Sequence, residues 1–211
     1  RVFGGKQQLL RFDYEKKGDI SRDTEEKIIS SIKEMIDEID AIIVSDYAKG
    51  TVTKSLMENL KAVCKNNAPI IIDPKPEHKD FYKNATLVTP NTAEAKKMVG
   101  LSEEDEENIN LIGKKLLQDL NSSILITRGE KGMSLFEKNG KILNIPTYAK
   151  QVYDIIGAGD TSVAALTLAL VSGANLEESA IIANHAAGIT VGKVGTSTVT
   201  IEELRESIEN A

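Results

Sequence analysis

The sequence predicts an α/β fold around a mostly parallel sheet, and three observations carry that expectation. Short apolar runs end abruptly in polar residues. Ile42, Ile43 and Val44 run into Ser45-Asp46, and Ile70, Ile71 and Ile72 into Asp73-Pro74-Lys75. Leu87-Val88 runs into Thr89-Pro90-Asn91, and residues 123–126 run into Thr127-Arg128-Gly129. Strands buried on both faces read this way, β-branched within and polar at the carboxyl end. Helical stretches lie between them, and strands alternating with helices imply βαβ units and a parallel sheet. Finally, 211 residues at 41% hydrophobic content suit one α/β domain with a single sizeable core, residues 1–211.

Taken in order, residues 7–14 read as a strand. Ser21 offers an N-cap, and acidic residues fill the first turn of a helix running to about residue 39. A second helix spans about 52–66. Residues 133–136 and 142–145 form a hairpin closed at Asn139-Gly140. Two apolar helices follow, about 160–172 and 176–192, and then a short charged helix over 201–208. In open α/β sheets ligands bind at the carboxyl ends of the strands. Asp46, Lys75, Asn91 and Thr127 are therefore expected along one edge, unless polar residues there only mark where strands stop.

Composition excludes some partners. The net charge is −6, with acidic and basic residues mixed along the chain. A nucleic-acid surface needs a basic stripe, as does an anionic membrane surface, and neither is present. A small anionic ligand remains compatible, because local amides and lysines bind phosphate on an acidic protein. Cys64 is the single cysteine, so no intrachain disulfide forms. His78 and His185 have no second ligand at zinc spacing. No apolar run approaches the roughly 20 residues of a spanning helix. A cytoplasmic protein is expected.

Residues 154–161, Asp-Ile-Ile-Gly-Ala-Gly-Asp-Thr, immediately precede an apolar helix. Glycines bring free amides close to a ligand, and the helix start adds unpaired N–H groups and a positive dipole end. Gly157, Ala158 and Gly159 thus form an anion hole suited to a transferring phosphoryl group, with Asp160 at its mouth to accept a proton from an attacking hydroxyl. The bland alternative is a glycine turn with Asp160 as a plain cap. The segment is neither a Walker loop nor a Rossmann fingerprint.

Residues 154–160 resemble the C-terminal signature of the ribokinase/phosphofructokinase-B superfamily of sugar kinases. Three more segments agree, in the family's order. Residues 89–94 (Thr-Pro-Asn-Thr-Ala-Glu) resemble its Asn-x-x-Glu motif, and 127–132 (Thr-Arg-Gly-Glu-Lys-Gly) its nucleotide-phosphate loop. Residues 183–188 (Ala-Asn-His-Ala-Ala-Gly) resemble the helix lining its adenine pocket. Within that family the chain is most similar to D-glycero-β-D-manno-heptose-7-phosphate kinases, on residues 7–11, 44–50, 73–75 and 191–196. Such kinases often form the N-terminal domain of a bifunctional ADP-heptose synthase.

The resemblance implies a ribokinase-like three-layer α/β/α sandwich. It implies Asp160 as catalytic base and Asn91 and Glu94 as organisers of Mg²⁺ and the ATP phosphates through water, though the pair also reads as a capping box. Thr127, Gly129 and Gly132 would contact phosphates, or form only a strand-to-hairpin turn. Asn184 would border the adenine, or be a satisfied polar group on a buried helix, while His185 is expected to be structural. Asp46, Lys49 and Lys75 remain as sugar-phosphate contacts. A monovalent cation would sit near Asp154 and the carbonyls of Thr190, Lys193 and Gly195, although Ile156 replaces the family's usual Thr.

The family's N-terminal sugar-binding half has no counterpart here, and Gly4-Gly5 stands in the wrong context to replace its motif. The chain is therefore expected to be part of a longer protein, one that in a bifunctional synthase would continue into a nucleotidyltransferase domain, and to pair as a homodimer along an exposed sheet edge. By itself it is expected to bind ATP without phosphorylating a sugar. The alternatives are another sugar or nucleoside kinase of the superfamily, and a nucleotide-binding regulatory module without catalysis.

Overall fold

A computed structural model of the chain describes residues 2–4, 7–10, 12–15, 18–64, 68–102, 108–149, 152–195 and 197–211. Gly5, Arg11, Asn66 and Thr196, which belong to expected motifs or elements, lie outside the described residues.

The chain opens on a two-stranded antiparallel ribbon, β1 (Val2–Gly4) with β2 (Gln7–Leu10). Of the strand expected over 7–14, the described residues show Gln7–Leu10 paired, with Leu10 opposite Val2; Phe12 and Tyr14 are exposed and lie outside a strand. Helix α1 (Arg22–Glu34) begins where expected, with the Ser21 hydroxyl accepting the Thr24 N–H at 3.3 Å. It ends before residue 39. Met35 N–H turns to Ile32 O, and a 3₁₀ turn, Ile36–Glu38, follows. Asp37 and Glu38 crowd that end, where the helix dipole disfavours negative charge.

Among the described residues the main sheet has six strands whose spatial order equals their chain order: β3 (Ile42–Ser45), β4 (Ile70–Asp73), β5 (Leu87–Val88), β6 (Ser123–Thr127), β7 (Met133–Phe136) and β8 (Ile142–Ile145). The first four are parallel and the last two antiparallel. The expected hairpin is β7–β8, with Gly140 at φ +90° in its turn.

Helix α2 (Lys54–Cys64) starts later than the sequence suggests, because the Thr53 hydroxyl accepts Leu56 N–H at 3.1 Å and so caps it. A 3₁₀ segment (Pro76–Tyr82) follows β4, and α3 (Thr92–Met98) follows β5. Helix α4 (Ile109–Leu120) was not singled out by the sequence pattern. Its signals are Asn108, which accepts Leu111 N–H, and Asn121, which ends the helix at φ 50°. The remaining helices are α5 (Ala158–Val171), α6 (Leu176–Val191) and α7 (Ile201–Glu209).

Alternation along the strands builds three layers. Ile70, Ile72, Val88, Ile124 and Ile126 pack on α1 to α4 through Ile29, Leu56, Leu60, Met98, Ile112 and Leu116. Ile71, Leu87 and Leu125 face the other way, onto Val163 and Leu166 of α5 and Ala180 and Ala183 of α6. Fully burying one such side chain contributes about 1.5–3 kcal/mol, so the central strands anchor the fold. Edge strand β3 contributes less, with Ile43 exposed. Among the described residues, no helix is long and apolar enough to cross a membrane.

Candidate functional site

Parallel pairing sets the strand ends side by side. Asp46 follows β3, Lys75 follows β4, Asn91 follows β5, and Thr127 closes β6 and bridges to Asn91. Asn91 caps α3: its Oδ1 accepts Glu94 N–H at 2.9 Å, and Glu94 Oε2 accepts Asn91 N–H at 3.1 Å. The capping box is therefore real. It leaves Glu94 Oε1 facing the strand ends, where Lys75 Nζ donates to it at 2.5 Å.

Charge accumulates around this pair. Burial, assisted by the carboxylates of Glu94 and Asp160, pushes Asp73 from its ordinary 3.8 up to about 6, against the pull of Lys75 and a hydrogen bond from Ser45. Burial favours neutral Lys75, but the hydrogen bond and charge of Glu94, with Asp73 and Glu77, outweigh it and raise the ammonium's pKa. Asp160 is thus close enough for its charge to act on Asp73 at the β4 end. It is exposed in the first turn of α5, and no side chain of the described residues caps that helix. Gly157 precedes the helix at φ 84°, a left-handed conformation that glycine adopts without strain. A Cβ at Gly159 would meet nothing within 4 Å, so Gly159 borders open space.

The loop before α5 is anchored elsewhere. Asp154 Oδ1 accepts Ile156 N–H at 3.0 Å, and Tyr153 N–H donates to Val191 O at 2.7 Å, tying the loop to the end of α6. Beside the β5 and β6 ends, Asn91, Thr92, Ala93, Thr127, Arg128, Gly129, Glu130 and Lys131 line a cleft of about 320 Å³. A larger hollow of about 530 Å³ opens at the opposite end of the sheet. Its charged lining is Asp37 and Asp40, which repel a phosphate, and the strand-end cleft is the better anion site.

The other expected residues are placed less simply. Gly129 is exposed at φ +57° in the loop, whereas Gly132 is buried and has both backbone groups engaged, to Gly129 O and from Arg128 N–H. Gly132 shapes the loop. Asn184 is buried and donates to Pro146 O at 2.6 Å, so its amide ties α6 to the segment that follows β8. His185 stacks on Tyr148 and lies 2.8 Å from Ser207 Oγ, and burial pushes its pKa down. Lys49 pairs with Glu15. Asp46 is turned inward: Oδ1 accepts Ala48 N–H, and Oδ2 lies 2.7 Å from His78 Nδ1 and 2.6 Å from the Tyr82 hydroxyl. Asp73 was passed over as a site residue, although it ends its apolar strand as Asp46 nearly does.

The sequence profile of the pfkB family carbohydrate kinases matches residues 6–203. The chain belongs to that family. Among curated relatives of this PfkB-family chain is bifunctional protein HldE of Nitratiruptor sp., 42% identical over 207 residues, covering 98% of the chain and 44% of the relative. HldE of Geobacter sulfurreducens is 40% identical over 210 residues, 99% and 43% of the two. The chain thus spans less than half the length of these curated relatives. Among solved structures, Arabidopsis thaliana ribokinase complexed with ribose and ATP aligns with a TM-score of 0.72 at 25% identity, over 90% of this chain and 60% of that one. Escherichia coli phosphofructokinase-2 aligns at 0.73 and 18% identity, over 88% and 62%. The ribokinase-like α/β/α fold expected from the motifs is the fold of this PfkB-family chain.

Proposed function

We propose that this chain is the nucleotide-binding and catalytic part, within one kinase domain, of an ATP-dependent sugar kinase. The acceptor is D-glycero-β-D-manno-heptose 7-phosphate and the product its 1,7-bisphosphate, a precursor of ADP-heptose and lipopolysaccharide. The observation that carries this function is the convergence of Asp160, at an uncapped helix start, with Asp73, Lys75 and Glu94 at the strand ends. Similarity to HldE proteins supports the acceptor and a longer, bifunctional chain.

The residues present fit Mg·ATP. The first-turn amides of α5 form an anion hole, and the cleft beside Asn91, Thr127 and Gly129 extends it. ATP supplies the γ-phosphoryl group, with Mg²⁺ held by its phosphates. Both oxygens of Glu94 already hold N–H donors, so Glu94 and Asn91 would meet Mg²⁺ through water. Asp160 accepts the proton as the sugar oxygen forms its bond to phosphorus and the bond from phosphorus to the bridging oxygen of ADP breaks. Gly157 and Gly159 meet the developing charge with N–H groups, whereas the Ala158 N–H already donates to Ile155 O at 3.4 Å and would have to turn away from it to join them. Gly132 holds the phosphate loop in shape, and Asn184 sets α6 beside the adenine.

A monovalent cation fits less well. Asp154 is bonded to Ile156 N–H, and the Thr190 carbonyl accepts Lys193 N–H at 3.0 Å, so no step is assigned to one.

The test is a phosphotransfer assay on the longer protein containing this chain, against a panel of sugars, sugar phosphates and nucleosides. Fastest turnover with heptose 7-phosphate is expected. Preference for an unphosphorylated sugar or nucleoside would replace the acceptor. ATP binding without turnover on any acceptor would favour a regulatory module.

A further inference from the structure

We propose that Tyr82, held by Asp46, is a positioning residue that fixes Lys75 across the phosphoryl-transfer site, a role that rests on the kinase function proposed above. Lys75 stands between Pro74 and Pro76, neither of which has a backbone N–H. Its own N–H is therefore the sole backbone donor between Asp73 and Glu77. That donor goes to the Tyr82 hydroxyl at 2.9 Å.

The hydroxyl in turn donates to Asp46 Oδ2 at 2.6 Å. Tyr82 is fully buried, and Asp46 is 1% exposed. Burial and the Asp46 carboxylate both push the phenol's pKa up, so the hydroxyl keeps its proton. Asp46 itself is fixed by Ala48 N–H and by His78, whose ring stacks on Phe81 at 4.6 Å.

The arrangement is more than a loop anchor because of where Lys75 then reaches. A residue before proline is confined to extended backbone, and Lys75 sits at φ −119°, ψ 137°. With its backbone fixed on both sides and at the amide, the four-carbon stem alone remains to be ordered. Glu94 orders it, at 2.5 Å, among the charges of Asp73 and Asp160. The β3 end, which contributes no free carboxylate to the site, thus acts on the site through Tyr82 and Lys75.

The test compares Tyr82→Phe, Lys75→Met and the double variant in the longer protein. Tyr82→Phe keeps the ring and removes one hydroxyl, so it folds or reveals misfolding in its Tm. It is expected to lower kcat about fivefold to tenfold, the net worth of one hydrogen bond, with KM for ATP unchanged. In the Lys75→Met background the same change should leave kcat where Lys75→Met put it, while lowering Tm as before. An equal kcat loss in both backgrounds, or none with Lys75 present, would overturn the proposal. Amide exchange provides a readout independent of turnover. The Lys75 N–H should exchange at least about tenfold faster in Tyr82→Phe, the cost of losing its acceptor. An unchanged exchange rate overturns positioning, whereas absence of phosphotransfer in the unmodified protein overturns only the kinase function.

Discussion

Glu94 does two jobs with two oxygens, one closing the α3 capping box and the other pairing with Lys75. The jobs separate by substitution. Glu94→Gln keeps an acceptor for Asn91 N–H but loses the charge, and Glu94→Ala loses both. Stability should fall by about 1 kcal/mol in the alanine variant and little in the glutamine variant. The Mg²⁺ needed for half-maximal turnover should rise in both. Melting curves and Mg²⁺ titrations check this, and Mg²⁺ curves unchanged in Glu94→Gln would leave Glu94 a cap alone.

Asp73 makes a pH prediction. Its pKa is 3.8 ordinarily and about 6 when folded, so the folded chain holds the proton more tightly. The stabilisation is full below pH 4 and is lost as pH rises through 6. Asp73→Asn should remove that fall, worth about 1–2 kcal/mol after solvent screening, from urea-denaturation profiles taken between pH 4 and 7. Parallel profiles for the two proteins would mean that Asp73 titrates as an ordinary carboxyl. The Asn91-x-x-Glu94 spacing is legible in sequence because both partners lie in one helical turn. Asp73's shift is not, because its main cause, burial, and the charges of Glu94 and Asp160 that add to it come from other elements packed around it. Asn184 likewise reads as a polar residue on an apolar helix, while its partner, the Pro146 carbonyl, emerges only from packing.

At the scale of elements, several strand ends and caps were legible from local signals, though the Asn108 and Asn121 caps of α4 were not singled out. Ser21, Asn91 and the Asn139-Gly140 turn stand where the pattern puts them. Helix α1 fell short of its expected end, where Asp37 and Glu38 crowd the negative end of the helix dipole. The loop between β6 and β7 is the element that most depends on a single residue. Gly132 has φ +79°, and a Cβ there would sit 2.0 Å from Ile145 O. Gly132→Ala should destabilise by more than about 2 kcal/mol, since strain and a backbone collision add, and should weaken ATP binding by distorting the cleft. Calorimetry of folding and of ATP binding checks both. A variant with unchanged Tm would contradict the described loop.

The whole molecule joins these parts by topology. Parallel order places four strand ends on one edge, and α5, packed on the sheet's other face, delivers Asp160 to the same edge. The edge was legible from the recurring apolar-to-polar switch; the approach of Asp160 was not, because it depends on how α5 lies across the sheet. The central claim is that this edge transfers a phosphoryl group with Asp160 as base. The most direct measurement is turnover and ATP affinity of Asp160→Asn in the longer protein containing this chain. Asparagine keeps the shape of the helix start and loses the proton acceptor. Turnover should fall about 10²- to 10⁴-fold, the usual contribution of a general base, while the Kd for ATP stays within a few-fold. Turnover near that of the unmodified protein would contradict the account.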